Sequence, residues 1–519
     1  MKKIVLFLFV QLMVISSVRA QEFKSEGVYE FENKGSGNII EDEKVVGYYF
    51  FYKVDKTGEE DDAYKLTFKD ENLATVKEIE IFKRKGEILR EVIYNGSNFA
   101  CLFFNETTNI LNIISYDKTG TKVGGYQIDP IHPYDLIKFK FSSSSLSLNY
   151  FKTIFPRGRE GFIAQVSNND GIKGFLISGL DNKMNEVWRY STPSDLKGLN
   201  YATVMDMNDK YIVLVTSRQG NLLSGKSEQG ITVLDIKTGA KVAIFESEFL
   251  GKKTSIMDAL IDPKTNEVVV VGDYLENAEK FGKNPSDGIY FARYSVQGKE
   301  IKVVKVPYKG KIISSMDVAY QKMIIDGSAR ILIRKAFLPE DGRVVVMGEL
   351  IEKAKNNHNV WNAYSRPMTK GKDDYLNSHQ IICFDLGAKD DSVKIKTFEK
   401  AISSYSVSDL IKDKSLYICT FFELMNGAFD YLFNSYDRKH DVILTYFHDR
   451  GGLNLKGETS PPQFKIIKYE KGEYSTVNFE YKGDYDQTGI LPAKYGFLTL
   501  LNYIRKERTV YWKLEKALY

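Results

Sequence analysis

Hydrophobic and polar positions alternate in short runs along most of this chain, and the runs come in pairs. Val233 to Phe245, VLDIKTGAKVAIF, shows the unit: an alternating strand, a Lys-Thr-Gly turn and a second strand. Related hairpins begin at Tyr64, Leu111, Gly174, Ile231, Ile289, His379 and Gln463. Their turns start at Asp70, Asp117, Asp181, Asp235, Ser295, Asp385 and Glu470, at intervals of 47 to 90 residues. Such a period is too wide for one hairpin and requires further strands in each repeat.

Those strands lie just upstream of the hairpins. FACLFFN, GFIAQVS, YIVLVTS, EVVVVGDYL, RVVVMGELI and LYICTFFEL are short apolar runs suited to strands buried on both faces. A further extended segment precedes each, as in FKTIFPRGR or SIMDALID. Helical patterns are scarce, with SIMDAL and the AYQKMIIDG region as weak exceptions. Four strands per repeat at this spacing predict an all-β fold, a β-propeller. After the seventh hairpin, KYGFLTLLNYIRKERTVYWKLEKAL supplies two more strands, and Gly27 to Asn33, GVYEFEN, offers a strand to complete that last sheet. Pairing the termini would close the ring and remove its exposed edges. Eight blades are expected, with seven as the alternative and two stacked sandwiches as the competing all-β arrangement.

Asp235, Thr238, Gly239 and Phe245 resemble the repeat of pyrroloquinoline-quinone-type eight-bladed propellers, an Asp-x-x-Thr-Gly turn followed by an aromatic. Trp188 stands at a comparable place in LDNKMNEVWRY, without the Thr-Gly. The resemblance covers hairpins rather than the whole chain. Quinoprotein dehydrogenases of that group carry a vicinal cysteine pair and calcium-binding carboxylates, and this chain has no adjacent cysteines. The branch implied is therefore the non-catalytic envelope scaffold, which needs no cofactor. The Lys/Tyr/Asn-rich chain as a whole is similar to uncharacterised secreted propellers of Bacteroidota.

Composition adds a destination. Lys2 and Lys3 precede an apolar run from Ile4 to Ile15 and a small-residue site at Val18-Arg19-Ala20, so residues 1–20 read as a signal peptide and 21–519 as one propeller domain. Cleavage removes three cations and no acid and brings the formal charge from +4 to +1, which gives no support for nucleic-acid binding. No later stretch offers the roughly 18 apolar residues of a membrane-spanning helix. The mature protein is expected in the periplasm or outside the cell. Cys101, Cys383 and Cys419 each sit in an apolar run with no metal-ligand spacing, and are expected to be buried free thiols.

Chemistry is thin. His132, His358, His379, His440 and His448 form no close ligand pair, and no GxSxG, P-loop or EF-hand spacing occurs. His440 and His448, eight apart on an extended segment, would stand about 26 Å apart. No metal site is expected.

Loop length is more informative. Strands in a blade alternate in direction, so the second-to-third-strand loops share a face with the blade-to-blade connections. Those loops lengthen at 217–230, 275–288, 351–378 and 425–462, the last with a strand pair of its own. Loops this long commonly carry function when a rigid scaffold presents them. Trp361, Tyr364 and Arg366, then His358 and Tyr431, are the expected anchors for a protein or glycan partner, since Trp, Tyr and Arg dominate interface energetics. The first functional reading is a non-enzymatic binding scaffold. The alternative is a glycan-acting hydrolase or lyase with paired carboxylates at the channel mouth.

Overall fold

The computed structural model describes residues 22–517 apart from 32–35, 42–43, 58–60, 85, 130–151, 169–173, 193–198, 220–226, 247–252, 277–285, 356–373, 389–391, 410, 426–427, 455–456, 458 and 481–486. Residues 1–20, the segment expected to be a signal peptide, lie outside them. Eight four-stranded antiparallel sheets follow one another as the blades of a propeller. Blades 1 to 7 span residues 36–84, 87–128, 154–191, 199–246, 253–307, 329–406 and 431–480. Blade 8 combines 487–516 with an outermost strand from the N-terminal end. Eight blades are present, as the repeat count implied.

The closing strand is Glu22–Glu26, earlier in the chain than the Gly27–Asn33 segment that the pattern suggested. It pairs with Thr509–Lys516, Phe23 opposite Trp512 and Glu22 opposite Lys513. The chain then turns at Gly27 (φ 73°), a left-handed conformation that glycine takes without penalty. Val28 and Phe31 are thereby freed to plug the space between blades 8 and 1, Phe31 meeting Trp512 edge-on at 5.4 Å. Their hydrophobicity serves the seam rather than the ladder.

A second correction concerns 425–462. Tyr431–Asp437 and Val442–Asp449 are the first two strands of blade 7, not a pair inserted in a loop. The apolar run LYICTFFEL, read as a strand, forms helix α2 (Leu416–Met425), and SIMDAL lies within an inner strand, Lys253–Ile261. In α2 the buried positions Cys419, Thr420, Glu423 and Leu424 follow helical rather than alternating spacing. Short apolar runs do not distinguish the two by composition. Helix α1 is Val318–Ile325, inside the weak helical pattern seen in the sequence. All three cysteines are buried and unpaired by disulfide. Among the described residues no helix is long and apolar enough to cross a membrane.

The core is a series of seams between adjacent blades, such as Val213, Val233, Val270 and Tyr290 between blades 4 and 5. The Asp turns hold the outer hairpins: the Oδ1 of Asp117 accepts from the amides of Thr119 and Thr121, and that of Asp235 from Lys237 and Thr238.

The inner strands raise a different problem. Each is an edge strand whose outward amides have no partner within the blade. Side chains of the preceding blade take them up. Glu91 accepts from the amides of Thr153 and Ile154, Gln165 from Val204, Asp206 from Ile261, and Gln229 from Ile256. Asp258 accepts from Ala336 at 2.8 Å, and Glu349 from Asp430 and Tyr431. Register shifts just before Glu91, Asp206 and Asp258 in their own strands re-aim these acids at the neighbour.

Candidate binding face and the seam beneath it

Blade 6 stands taller than the blades beside it. Its second, third and fourth strands, Val344–Lys355, Asp374–Leu386 and Val393–Ser406, are 12, 13 and 14 residues long. The longest strand of either neighbour, blade 5 or blade 7, has 9. Register shifts at Glu349/Ile351 and Ser378/Gln380 separate the blade proper from a three-stranded extension. The loop between its second and third strands is 356–373, narrower than the 351–378 expected. Alternating strand direction places this extension on the face of the blade-to-blade connections, where α1 (between blades 5 and 6) and α2 (between 6 and 7) also lie.

The helices brace the extension. Cys419 and Leu424 of α2 pack with Ile351, Leu376, Val407 and Ile411. Tyr417 reaches blade 5, its hydroxyl 3.0 Å from Ser255 Oγ, and its ring lies 4.8 Å from the Arg330 guanidinium. Arg330 is paired with the fully buried Asp273, whose carboxyl burial pushes up to about 6 against the Arg330 charge. Lys353 Nζ donates to the carbonyls of Lys412 and Lys414 ahead of α2. On the other side Tyr320 of α1 donates to Glu399 and meets the buried His379 ring edge-on at 5.8 Å. His379 Nε2 lies 2.9 Å from Glu352, and that hydrogen bond holds the Glu352 carboxyl below its usual range.

Below the extension, blades 6 and 7 meet through buried charge. Lys400 Nζ, fully enclosed, donates to Asp430 at 2.6 Å and to the carbonyls of Ser378 and Ala401. Asp430 also accepts from Tyr405 at 2.7 Å and faces Arg450 at 3.4 Å. Burial alone would raise the Asp430 carboxyl; the Lys400 and Arg450 charges outweigh it and hold it below the usual range. Glu349 accepts from Ser378 Oγ and two backbone amides. Arg334 stands 3.6 Å from Glu349, over the rings of Tyr431 and Phe429 at 5.1 and 5.9 Å. Phe429 holds φ 78°, a conformation bulky residues rarely adopt.

Of the anchors expected from sequence, Tyr431 is buried in the inner strand of blade 7, its hydroxyl donating to Asn434 at 2.6 Å. It is a wall of this seam, because its segment is a blade strand and not a loop. His358, Trp361, Tyr364 and Arg366 lie outside the described residues, as do 220–226 and most of the 275–288 loop. His440 lies in the turn before Val442–Asp449, against Asp437, and His448 lies near the far end of that strand, against Phe464. The seam residues went unnoticed in the sequence, although a charge inside an apolar run marks several: Arg334 in ILIRKAF, Glu349 in VVVMGELI, Asp430 in GAFDYLF. On the opposite face, a hollow of about 420 Å³ lined by Asp341, Arg343, Asp385 and Lys394 has Arg343 bonded to both acids. Among the described residues no group of three or more His, Cys, Asp or Glu could hold a metal.

The architecture is that of an eight-bladed β-propeller closed by its two ends, with blade 6 raised above blades 5 and 7 and braced by helices. The chain belongs to a family of unknown function, DUF6770, whose model matches residues 1–518. No curated protein matches the sequence significantly. Among solved structures it is similar to polysaccharide lyase Uly1, at 10% identity and TM-score 0.37 over 94% of this chain and 91% of that one. It is also similar to the β-propeller domain of Vanderwaltozyma polyspora Nup133, at 8% and 0.35 over 95% and 98%. A third is quinohemoprotein alcohol dehydrogenase ADHIIG of Pseudomonas putida HK5, at 10% and 0.35 over 78% and 62%. At such scores these likenesses carry no argument about activity.

Proposed function

We propose that this propeller is an exported, non-enzymatic binding scaffold of a bacterial envelope or exterior, and that its partner, a protein or a glycan, docks on the face of the raised blade. The observation that carries this reading is the extension of blade 6. Three strands are prolonged past their bulges and backed by α2, which gives segment 356–373 a fixed base. Rigid display of a loop lowers the entropy cost of docking. That loop holds Trp361, Tyr364 and Arg366, residue types that supply most binding energy where they are buried at an interface.

Binding is favoured over glycan cleavage by what the inner-ring acids do. Glu91, Asp206, Asp258 and Glu349 are each engaged by backbone amides of the next blade, and Asp258 is also paired with Lys335 at 3.0 Å. An acid that holds a neighbouring strand in place is poorly suited to exchange protons with a substrate. The test replaces 356–373 with a short Gly-Ser linker and measures partner binding beside thermal stability. Loss of binding with an unchanged unfolding midpoint is expected; retained binding, or glycan cleavage by the intact protein, would overturn the reading.

A further inference from the structure

We infer that the hollow at the base of blade 6, on the face opposite the raised extension, is a binding site for a neutral polyhydroxylated molecule of sugar size. The first ground is a buried acceptor without a donor. Asp385 lines the hollow and is 2% exposed; its Oδ2 accepts from Arg343 Nη1 at 3.0 Å, while its Oδ1 has no hydrogen-bond partner. A buried carboxylate oxygen left unpaired is costly. Across the seam, in blade 7, two enclosed hydroxyls also lack partners, those of Tyr469 and Tyr474, with rings 5.0 Å apart. Burial, then the Asp385 charge, pushes the Tyr469 hydroxyl above its usual range, so it keeps its proton and can donate.

The second ground is a packing exception. Ile79, Trp188 and Phe245 each lie over the turn glycine of the next blade, at Gly120, Gly239 and Gly298. At the corresponding glycine of blade 7, Gly472, the neighbour is Arg343, whose Nη1 would stand 3.0 Å from a Cβ there. Asp341 and Asp385 hold this guanidinium at 2.9 and 3.0 Å. A charged group in place of an apolar plug forgoes apolar burial at the seam. In exchange it sets a fixed donor in the wall of the hollow.

The third ground decides the class of ligand. The hollow encloses about 420 Å³, inside the range of roughly 300–1,000 Å³ for small-molecule sites. Ala388 is the only apolar side chain among its lining residues, so an apolar ligand would bury little there. The lining charges, Asp341 and Asp385 against Arg343 and Lys394, cancel and favour no ion of either sign. Lys394 stands opposite Asp385 on the adjoining strand, which sets a donor-only group beside an acceptor-only oxygen. Neighbouring hydroxyls answer both, one donating to Asp385 Oδ1 and the next accepting from Lys394 or Arg343. A hydroxyl seated at Asp385 can also accept from the tyrosine hydroxyls, which an ammonium cannot do. The site lies on the far face from the docking surface and does not rest on it.

The test uses the full chain and saturation-transfer NMR, with D-glucose, D-galactose, D-mannose and myo-inositol as probes and glycine as a zwitterion. Saturation of at least one polyol, and none of glycine, is expected. Lys394→Met, at an exposed position, should weaken that polyol about tenfold with an unchanged unfolding midpoint. Asp385→Asn, which loses the acceptor-only carboxylate, should weaken it as well. Maltotriose saturated at one terminal ring only would mark a glycan chain end as the ligand; a response from the free hexoses alone would mark a soluble sugar. Replacing 356–373 with a Gly-Ser linker should leave the polyol signal intact, which separates this site from the docking face. Silence of all four polyols, stronger saturation of glycine, or a polyol signal unchanged in both variants would overturn the assignment.

Discussion

Trp188 of blade 3 lies across Gly239 of blade 4. Its Nε1–H donates to the carbonyl of Ile236 at 3.1 Å, and a Cβ on Gly239 would stand 2.4 Å from its ring. Phe245 of blade 4 occupies the same place over Gly298 of blade 5, and Ile79 of blade 1 over Gly120 of blade 2. Between blades 2 and 3 the shapes are exchanged: Gly124 supplies the flat surface, and a Cβ there would stand 1.9 Å from the Lys183 carbonyl, beside the buried Met184. The glycine of the outer-hairpin turn is thus a plate on which the previous blade docks at Gly120, Gly239 and Gly298.

Gly239→Ala should therefore cost about 1–2 kcal/mol from the left-handed backbone (φ 67°) and about 1–3 kcal/mol more from overlap with Trp188. Trp188→Ala alone should cost about 3–5 kcal/mol. In the double variant the overlap disappears, so urea unfolding should show a total below the sum of the singles. Strict additivity would refute the docking account.

Glu349→Ala strips the seam of the acceptor for two amides, one hydroxyl and the Arg334 charge. Breaking a buried pair from one side costs about 3–5 kcal/mol. The denaturation midpoint should fall accordingly, and more than for Asp341→Ala, whose carboxylate is exposed. Similar effects of the two changes would argue against a structural role for Glu349.

Asp273 gives a pH signature. Its carboxyl is raised in the folded protein, from 3.8 to about 6, chiefly by burial. A raised acid binds more protons folded than unfolded, so its contribution is full below pH 4 and is lost as pH rises through about 6. The shift corresponds to something on the order of 3 kcal/mol. Asp273→Asn lowers stability by leaving Arg330 unpaired, yet it should remove this slope between pH 4 and 6. An unchanged slope in the variant would show that Asp273 titrates normally.

How much of this was legible in the sequence follows from locality. Hairpins with Asp-initiated turns announce themselves, because the turn residues and the alternation lie within one short stretch. The blade count and the pairing of the two ends came from repeating that unit. The closing strand was misplaced because GVYEFEN looks more strand-like than EFKSE, and the wedge formed by Val28 and Phe31 exists only once blade 8 is in place. Helix α2 was hidden because polarity does not track burial in it: Phe421 is exposed while Thr420 and Glu423 are buried, so the run shows no helical period. The inner-ring acids hold amides 55 to 82 positions away, and Arg334 meets the ring of Tyr431 from 97 positions away, so these partners had no local mark.

Removing residues 21–26 opens the ring. The ladder edge at Thr509–Lys516 and the buried Trp512 lose their cover, which should lower the unfolding midpoint strongly and promote association through the free edge. Size-exclusion chromatography at several concentrations checks this. A stable, monomeric truncation would show that closure by Glu22–Glu26 is dispensable.

The most direct test of the account is quantitative capture from the source organism's envelope with two baits, the mature protein and the form with 356–373 replaced by a Gly-Ser linker, matched for unfolding midpoint. A partner that binds the first with a defined affinity and fails on the second is the predicted result. A partner held equally by both baits would contradict the claim that the raised blade is the working face.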